Sequence, residues 1–256
     1  MTDRLAEEGR LAWTALTVLT RLPAPRLTGF RPDWLPRSVP YFPFVGLLVG
    51  LVAATVYSLA ALLWAEPVAS VLTVAATAWV TGGLHEDGWA DACDGLGAGG
   101  DRERILAIMK DSYIGAFGAV GLTCLIVARV AGLSTLPAGQ VPGSLAAAHV
   151  LSRWSSLPLL LWLPSLRPTG MAAPFAGRVT RGRVAVGTIA AAVLIAAALG
   201  RMAVTAWVAA GIATAAAGLL FRRRLGGITG DCLGAANQLV ELSVVLALAA
   251  CLPRTP

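Results

Sequence analysis

Residues 39–63 read VPYFPFVGLLVGLVAATVYSLAALL, with no charge anywhere in the run. A hydrocarbon layer about 30 Å thick takes roughly 20 residues of helix to cross. This stretch is long enough, and too continuously apolar for the alternating pattern of a barrel strand. Six more segments of this kind follow, at about 67–84, 113–133, 143–163, 184–200, 203–221 and 232–252. The fifth and sixth are separated only by Arg201 and Met202, so that break is the weakest. In lipid every backbone polar group has to be satisfied internally, which leaves helices. The expected fold is an all-α integral membrane protein: a polytopic bundle of about seven transmembrane helices.

Composition agrees. Apolar residues make up 57% of the 256, charged residues 13%, and mean hydropathy is +0.73. A soluble domain carries about 25% charged residues to cover its wet surface. A soluble globular protein, a disordered chain and a coiled coil are excluded. The net charge of +6 hints at nucleic acid, but a basic excess is also what orientation in a membrane produces. No nucleic-acid partner is expected.

With a cytoplasmic N-terminus, the inside segments hold sixteen basic residues: Arg4, Arg10, Arg21, Arg26, Arg31, Arg37, Arg102, Arg104, Lys110, Arg167, Arg178, Arg181, Arg183, Arg222, Arg223 and Arg224. Outside stand Arg201 and Arg254, and Arg129 and Arg153 lie within spans. That bias places the 85–112, 164–183 and 222–231 segments together on the cytoplasmic face. Residues 4–20 form an amphipathic stretch with Leu5, Leu11, Leu16 and Leu19. It suits an interfacial helix or a short packed one equally. The chain is read as a single domain over 1–256, with an N-terminal interfacial helix and loop at 1–38 and the bundle at 39–252. Acids stand where a signal peptide would be basic, so no cleavable signal is expected. Cys93, Cys124, Cys232 and Cys251 form no CxxC pair, so neither structural zinc nor a disulfide framework is expected.

Charge is concentrated in one place. Seven of fourteen acids (Glu86, Asp87, Asp91, Asp94, Asp101, Glu103, Asp111) fall in GGLHEDGWADACDGLGAGGDRERILAIMKDSYIGAFG, residues 82–118. Asp87, Asp91 and Asp94 stand at i, i+4 and i+7, on one face of a helix. Carboxylates so placed repel unless a cation sits among them, and an oxygen-only set favours Mg²⁺. Asp111 is a further candidate ligand. The alternative is a solvated acidic face. Gly88, Gly95, Gly97, Gly99 and Gly100 either let a phosphate approach the backbone or mark a helix end and turn. Lys110, the only lysine, and Arg102 are candidate phosphate contacts; Lys110 also suits a helix C-terminus. His85 is either a general base or a partner of an aspartate. Arg153 and Arg129 are candidate anion contacts within the bundle, though Arg129 also suits snorkelling or pairing with an acid. A second motif, GGITGDCLGAANQLVE at 226–241, contributes Thr229, Asp231 and Asn237. Glu241 needs a buried partner, for which Arg129 and Arg153 are available.

Metal-binding carboxylates beside cations suit transfer chemistry on a diphosphate. Two membrane enzyme classes fit: phosphoryl transfer from a nucleotide-activated donor to an alcohol, and ionisation of a prenyl diphosphate.

TRLPAPRL at 20–27, VPYFPFVGLLVG at 39–50, the 82–118 block and GGITGDCLGAANQLVE occur in this order. Together they resemble the cobalamin synthase family, the adenosylcobinamide-GDP ribazoletransferases, over nearly the whole chain. The resemblance implies a bacterial inner-membrane enzyme with its active site facing the cytoplasm. Adenosylcobinamide-GDP would be joined to α-ribazole or its 5′-phosphate with release of GMP, and Mg²⁺ would be required. The family's DGxxDxxDG falls on Asp87, Gly88, Asp91, Asp94 and Gly95. Its KDS falls on Lys110, Asp111 and Ser112, and its TGD on Thr229, Gly230 and Asp231. Glu86 departs from the family's usual apolar residue and is not expected to be a ligand; Cys93 is ordinary variation. The expected metal ligands are Asp87, Asp91, Asp94 and Asp111. The expected catalytic residues are His85, Asp91 and Lys110. Substrate contacts are expected from Arg102, Lys110, Ser112, Arg153, Thr229, Asp231 and Asn237. The partners are these small molecules and the lipid membrane; the oligomeric state stays open.

Two rivals remain. A CDP-alcohol phosphotransferase also has a DxxDG run, but normally continues to Ala-Arg, where this chain has Leu-Gly-Ala-Gly-Gly after Gly95. A cation-coupled transporter would carry more acids within its spans than the single Glu241.

Overall fold

The computed structural model describes residues 2–23 and 29–251. Residues 24–27 of the TRLPAPRL block, with Arg26, and the terminal Arg254 lie outside the described residues. Among those described, eleven α-helices follow one another. They are α1 (Thr2–Leu19), α2 (Trp34–Ser38), α3 (Phe42–Ala60), α4 (Glu66–Thr81), α5 (Leu84–Ala98), α6 (Arg102–Ile108), α7 (Ala116–Ser134), α8 (Val141–Trp162), α9 (Arg181–Leu199), α10 (Ala203–Leu225) and α11 (Gly230–Cys251). Each of the seven expected apolar segments coincides with one helix: α3, α4, α7, α8, α9, α10 and α11.

Among the described residues, four helical runs are long and apolar enough to cross a membrane: Trp34–Ala60, Ala116–Ser134, Arg181–Leu225 and Gly230–Cys251. A fifth is added if α4 and α5 count as one span bent by 94°. The bend is made by Gly82 and Gly83, both with φ near +70°, a conformation open to glycine at little cost. We count α5 outside the spans, since it carries four acids on fifteen residues.

The run Arg181–Leu225 has 45 residues, about twice what the layer needs at 1.5 Å per residue. The chain reverses within it at Gly200–Met202. The start of α8 meets the end of α9, with a Cβ on Gly143 falling 2.9 Å from the Ala198 carbonyl oxygen. Later on α8, Trp154 Nε1 donates to Thr188 Oγ1 near the start of α9 (2.9 Å), so the two helices are antiparallel. Along α10, Trp207 stacks edge-on against Trp154 and Gly218 abuts Leu159, which is parallel to α8. The weak break between the fifth and sixth segments is therefore a hairpin turn.

α8 is the central pillar, buried at nearly every position from Ser144 to Leu160. α3 lies against it through small residues. A Cβ on Gly50 would stand 2.7 Å from the Ala146 Cα, and Gly46 is seated against the His149 carbonyl. Where lipid replaces water, such close backbone approach and its dispersion contacts supply the packing energy. α1 buries Leu11, Ala15 and Leu19 and is pinned by an Arg37–Glu7 ion pair (2.6 Å) and by Tyr41, whose hydroxyl donates to Glu8. One face of α1 is thus packed on the bundle.

One end of the bundle gathers α5, α6 and the loops flanking α8–α9 and α10–α11. Leu166 N donates to the Ile228 carbonyl and Ile228 N to the Pro164 carbonyl, both 2.9 Å, zipping the two loops together. The three segments expected to share one face of the membrane therefore share one end of the molecule.

Candidate active site

The site begins with a helix crossing. α5 meets α11 glycine against glycine: a Cβ on Gly88 would stand 2.9 Å from the Asp231 carbonyl oxygen and 3.2 Å from the Gly234 Cα. Nothing larger than hydrogen fits between the helices there, so the DGxxD run sits directly on the TGD run. Gly95 in turn seats Ile105 and Met109 around α6, and Gly97 seats Phe117. Gly88, Gly95 and Gly97 are helical residues that permit packing, not a turn cradling phosphate; the turn proper is at Gly99 and Gly100.

Asp87 and Asp231 line a cavity of about 240 Å³ whose remaining wall includes Ser165, Arg167, Thr169, Thr229 and the backbone of Gly170–Ala173. Thr229 begins α11: its hydroxyl accepts the Cys232 N–H (3.3 Å) and donates to Asp231 Oδ2 (3.2 Å). Arg167 Nη1 donates to the same oxygen at 3.1 Å. Asp91, one turn from Asp87, has its carboxyl pushed up to about 7. Burial is the main cause, followed by repulsion from Asp87, Asp231 and Asp94, which Arg167 partly offsets.

His85 is 4% exposed, and its Nδ1 has no hydrogen-bond partner among the described residues. Burial first, then the nearby Arg153 charge, hold its imidazole well below the usual value, and so neutral. It borders a second, small cavity that shares Leu84, Met171 and Gly230 with the first.

The other expected residues divide. Asp94 stands behind the cavity: its two oxygens accept the N–H groups of Gly115 and Gly118, each at 2.7 Å, so it caps α7 from another helix. The carboxylate is thus oriented toward a helix N-terminus and does not line the cavity. Lys110, Asp111 and Ser112 form an exposed turn between α6 and α7, with Asp111 accepting the Tyr113 N–H (3.1 Å). None of the three lines the cavity. Arg102 opens α6 near Gly226, also outside the cavity wall.

Arg153 and Asn237, each 1% exposed, are sealed inside the bundle. Arg153 reaches His149 (2.8 Å), Ser152 (2.9 Å) and Glu241 (3.5 Å). Its charge is met by protein groups. Glu241 also pairs with Arg129 and with His149 (3.3 Å). Arg129 in turn donates to Glu86 and Gln238 (3.1 Å each) and to Thr77 (3.2 Å). Five helices, α4, α5, α7, α8 and α11, are tied through this one network. Glu86, the residue that departs from the family pattern, is thus half of a buried ion pair.

Arg167 and the 165–173 loop were not singled out from sequence. Their only signal was a polar stretch, Ser165 to Gly170, directly after an apolar span on the expected inner side. Among the described residues, no three His, Cys, Asp or Glu side chains stand close enough to ligate one ion. Mg²⁺ needs fewer, since it is usually held by one or two carboxylates plus substrate phosphates and water. Asp87 and Asp231 fit that need. They face one cavity from two helices.

An all-α bundle with apolar helices long enough for a membrane, carrying a paired-carboxylate cavity flanked by an arginine at one end, defines a membrane enzyme of the diphosphate-handling class. The chain belongs to the cobalamin-5-phosphate synthase family, whose model matches residues 11–249. It is 44% identical to the adenosylcobinamide-GDP ribazoletransferase of Leptothrix cholodnii, covering 94% of this chain and 96% of the relative. The enzymes of the same name from Ralstonia nicotianae and Escherichia coli O127:H6 are 39% identical (98% of both chains) and 37% identical (93% of this chain, 99% of the relative). No solved structure matches the chain.

Proposed function

We infer that the chain is an adenosylcobinamide-GDP ribazoletransferase acting in the last steps of cobalamin biosynthesis. It joins adenosylcobinamide-GDP to α-ribazole, or its 5′-phosphate, and releases GMP. One observation carries the assignment of the site: the Gly88–Gly234 crossing, which sets Asp87 and Asp231 on one cavity beside Arg167.

In our reading a bacterial inner membrane holds seven spans, and the cavity opens to the cytoplasm. The basic residues clustered at that end support the orientation. Asp87 and Asp231 would hold Mg²⁺ together with phosphate oxygens of the donor. Bound there, Mg²⁺ would neutralise charge on the diphosphate and on the departing GMP. Arg167 and the backbone of the 169–173 loop orient the diphosphate. A ribose hydroxyl of the acceptor forms a P–O bond to the phosphorus on the cobinamide side, and the bond from that phosphorus to the bridging oxygen breaks. Asp91 Oδ, one turn from Asp87 on the same helix, takes the hydroxyl proton in preference to the buried His85 imidazole. His85 is instead a packing and orienting residue at the α5–α11 junction.

Purified protein is incubated with adenosylcobinamide-GDP, α-ribazole and Mg²⁺, and GMP is followed with time. GMP formed in step with a cobalamin product supports the reading. GMP-free incubations of folded protein contradict it, and CDP-alcohol or transport assays then test the rivals.

A further inference from the structure

We propose that Arg167 is the resting counter-ion of Asp231, and that it passes to the donor's diphosphate when a divalent cation takes that carboxylate. The inference rests on the site reading above and adds a residue exchange to it.

The position of Arg167 is built by the fold. The backbone zipper between 164–166 and 228 ends just before it, and Ser165 Oγ donates to its carbonyl (3.1 Å). Its side chain is held at two points, by Asp231 Oδ2 at 3.1 Å and by the Leu106 carbonyl of α6 at 3.4 Å. Among the described residues lining the 240 Å³ cavity it is the only cation.

The pair is arranged to be broken. The Arg167 and Asp231 side chains are 27% and 20% exposed, so neither charge is sealed from water. Ion pairs of this kind contribute little, about 0–1 kcal/mol. A divalent cation reaching Asp231 from the cavity therefore competes on good terms. Once displaced, the guanidinium remains anchored near Leu106, facing a cavity about to receive a diphosphate. Its planar fork matches two phosphate oxygens at once, which an ammonium would not. Metal and donor binding become mutually supportive: the cation frees the arginine, and the diphosphate uses both.

The test titrates Mn²⁺ alone into full-length protein in detergent, without donor, and follows free Mn²⁺ by electron paramagnetic resonance. Wild type is compared with Arg167→Gln and Arg167→Lys. Removing the competing charge tightens Mn²⁺ binding about threefold or more in Arg167→Gln, with Arg167→Lys close to wild type. In the same Arg167→Gln protein, the KM for adenosylcobinamide-GDP rises about tenfold, as expected for a lost charged hydrogen bond to phosphate. In an Asp231→Asn background, Arg167→Gln leaves Mn²⁺ affinity where it is. Unchanged or weaker Mn²⁺ binding in Arg167→Gln overturns the exchange while leaving the metal site standing. A wild type that does not bind Mn²⁺ at all removes the metal reading, and the exchange with it.

Discussion

Asp94 Oδ1 accepts the backbone N–H of Gly118 at 2.7 Å, across 24 residues of sequence. With Oδ2 on the Gly115 N–H, the carboxylate supplies to α7 the N-terminal cap that glycine cannot supply itself. Asp94→Ala is expected to lower stability by about 1–2 kcal/mol, the scale of a lost cap with its charge–dipole contribution. Mn²⁺ affinity should stay unchanged. Thermal unfolding in detergent and a Mn²⁺ titration measure both, and a large loss of Mn²⁺ affinity would reinstate Asp94 as a ligand.

The α5–α11 crossing should tolerate no side chain. Gly88→Ala is expected to cost about 1–3 kcal/mol, the range for overpacking a filled interior. Because the two helices carry opposite walls of the cavity, turnover should fall by more than the stability loss explains. Activity measured well below the unfolding temperature separates the two effects.

Arg129 serves two acids at once, Glu86 and Glu241, in the interior of the bundle. Removing one partner of a buried pair leaves uncompensated charge and costs about 3–5 kcal/mol. Arg129→Ala should therefore unfold at markedly lower temperature. Arg129→Ala with Glu241→Gln should recover part of the loss, which a double-mutant cycle reads directly.

Asp91 carries a pH signature of definite sign. Its value is raised from 3.8 to about 7 in the folded protein, so the folded state holds the proton more tightly than the unfolded one. Stability therefore falls as pH rises from about 4 through 7. Asp91→Asn cannot ionise and escapes this loss. Metal-free Asp91→Asn should be more stable than wild type at pH 8, with the difference shrinking toward pH 4, while turnover is lost. Thermal unfolding at several pH values checks it, and a difference that grows toward acid contradicts the assignment.

The helices were legible in the sequence because lipid imposes a strong and simple constraint: long charge-free runs such as 39–63 have few other uses. The one-face spacing of Asp87, Asp91 and Asp94 was legible from the helical period instead, and α5 is a helix through all three. What each carboxylate faces was not legible. Asp94 points to the start of α7 and Asp87 to the loop after α8, a difference set by how the helices cross rather than by period. Gly88 and Gly95 look like turn or phosphate residues in the sequence because close packing of two helices leaves the same residue type as a phosphate loop. Arg167 is one of sixteen basic residues on the expected inner side, and only the pairing of residues 164–166 with 228 distinguishes it. Arg153 shows a limit of the sequence: a buried cation signals a partner without saying whether that partner is protein or substrate.

The central claim is that Asp87 and Asp231, brought together by the α5–α11 crossing, form the transferase centre. The most direct measurement is GMP release from adenosylcobinamide-GDP and α-ribazole by wild type, Asp87→Ala and Asp231→Ala, each shown to be folded in detergent. Wild type should release GMP in step with product, and both variants should fall by at least about a hundredfold, the scale of losing a group that stabilises the transition state electrostatically. Near-wild-type GMP release from either folded variant would contradict the account.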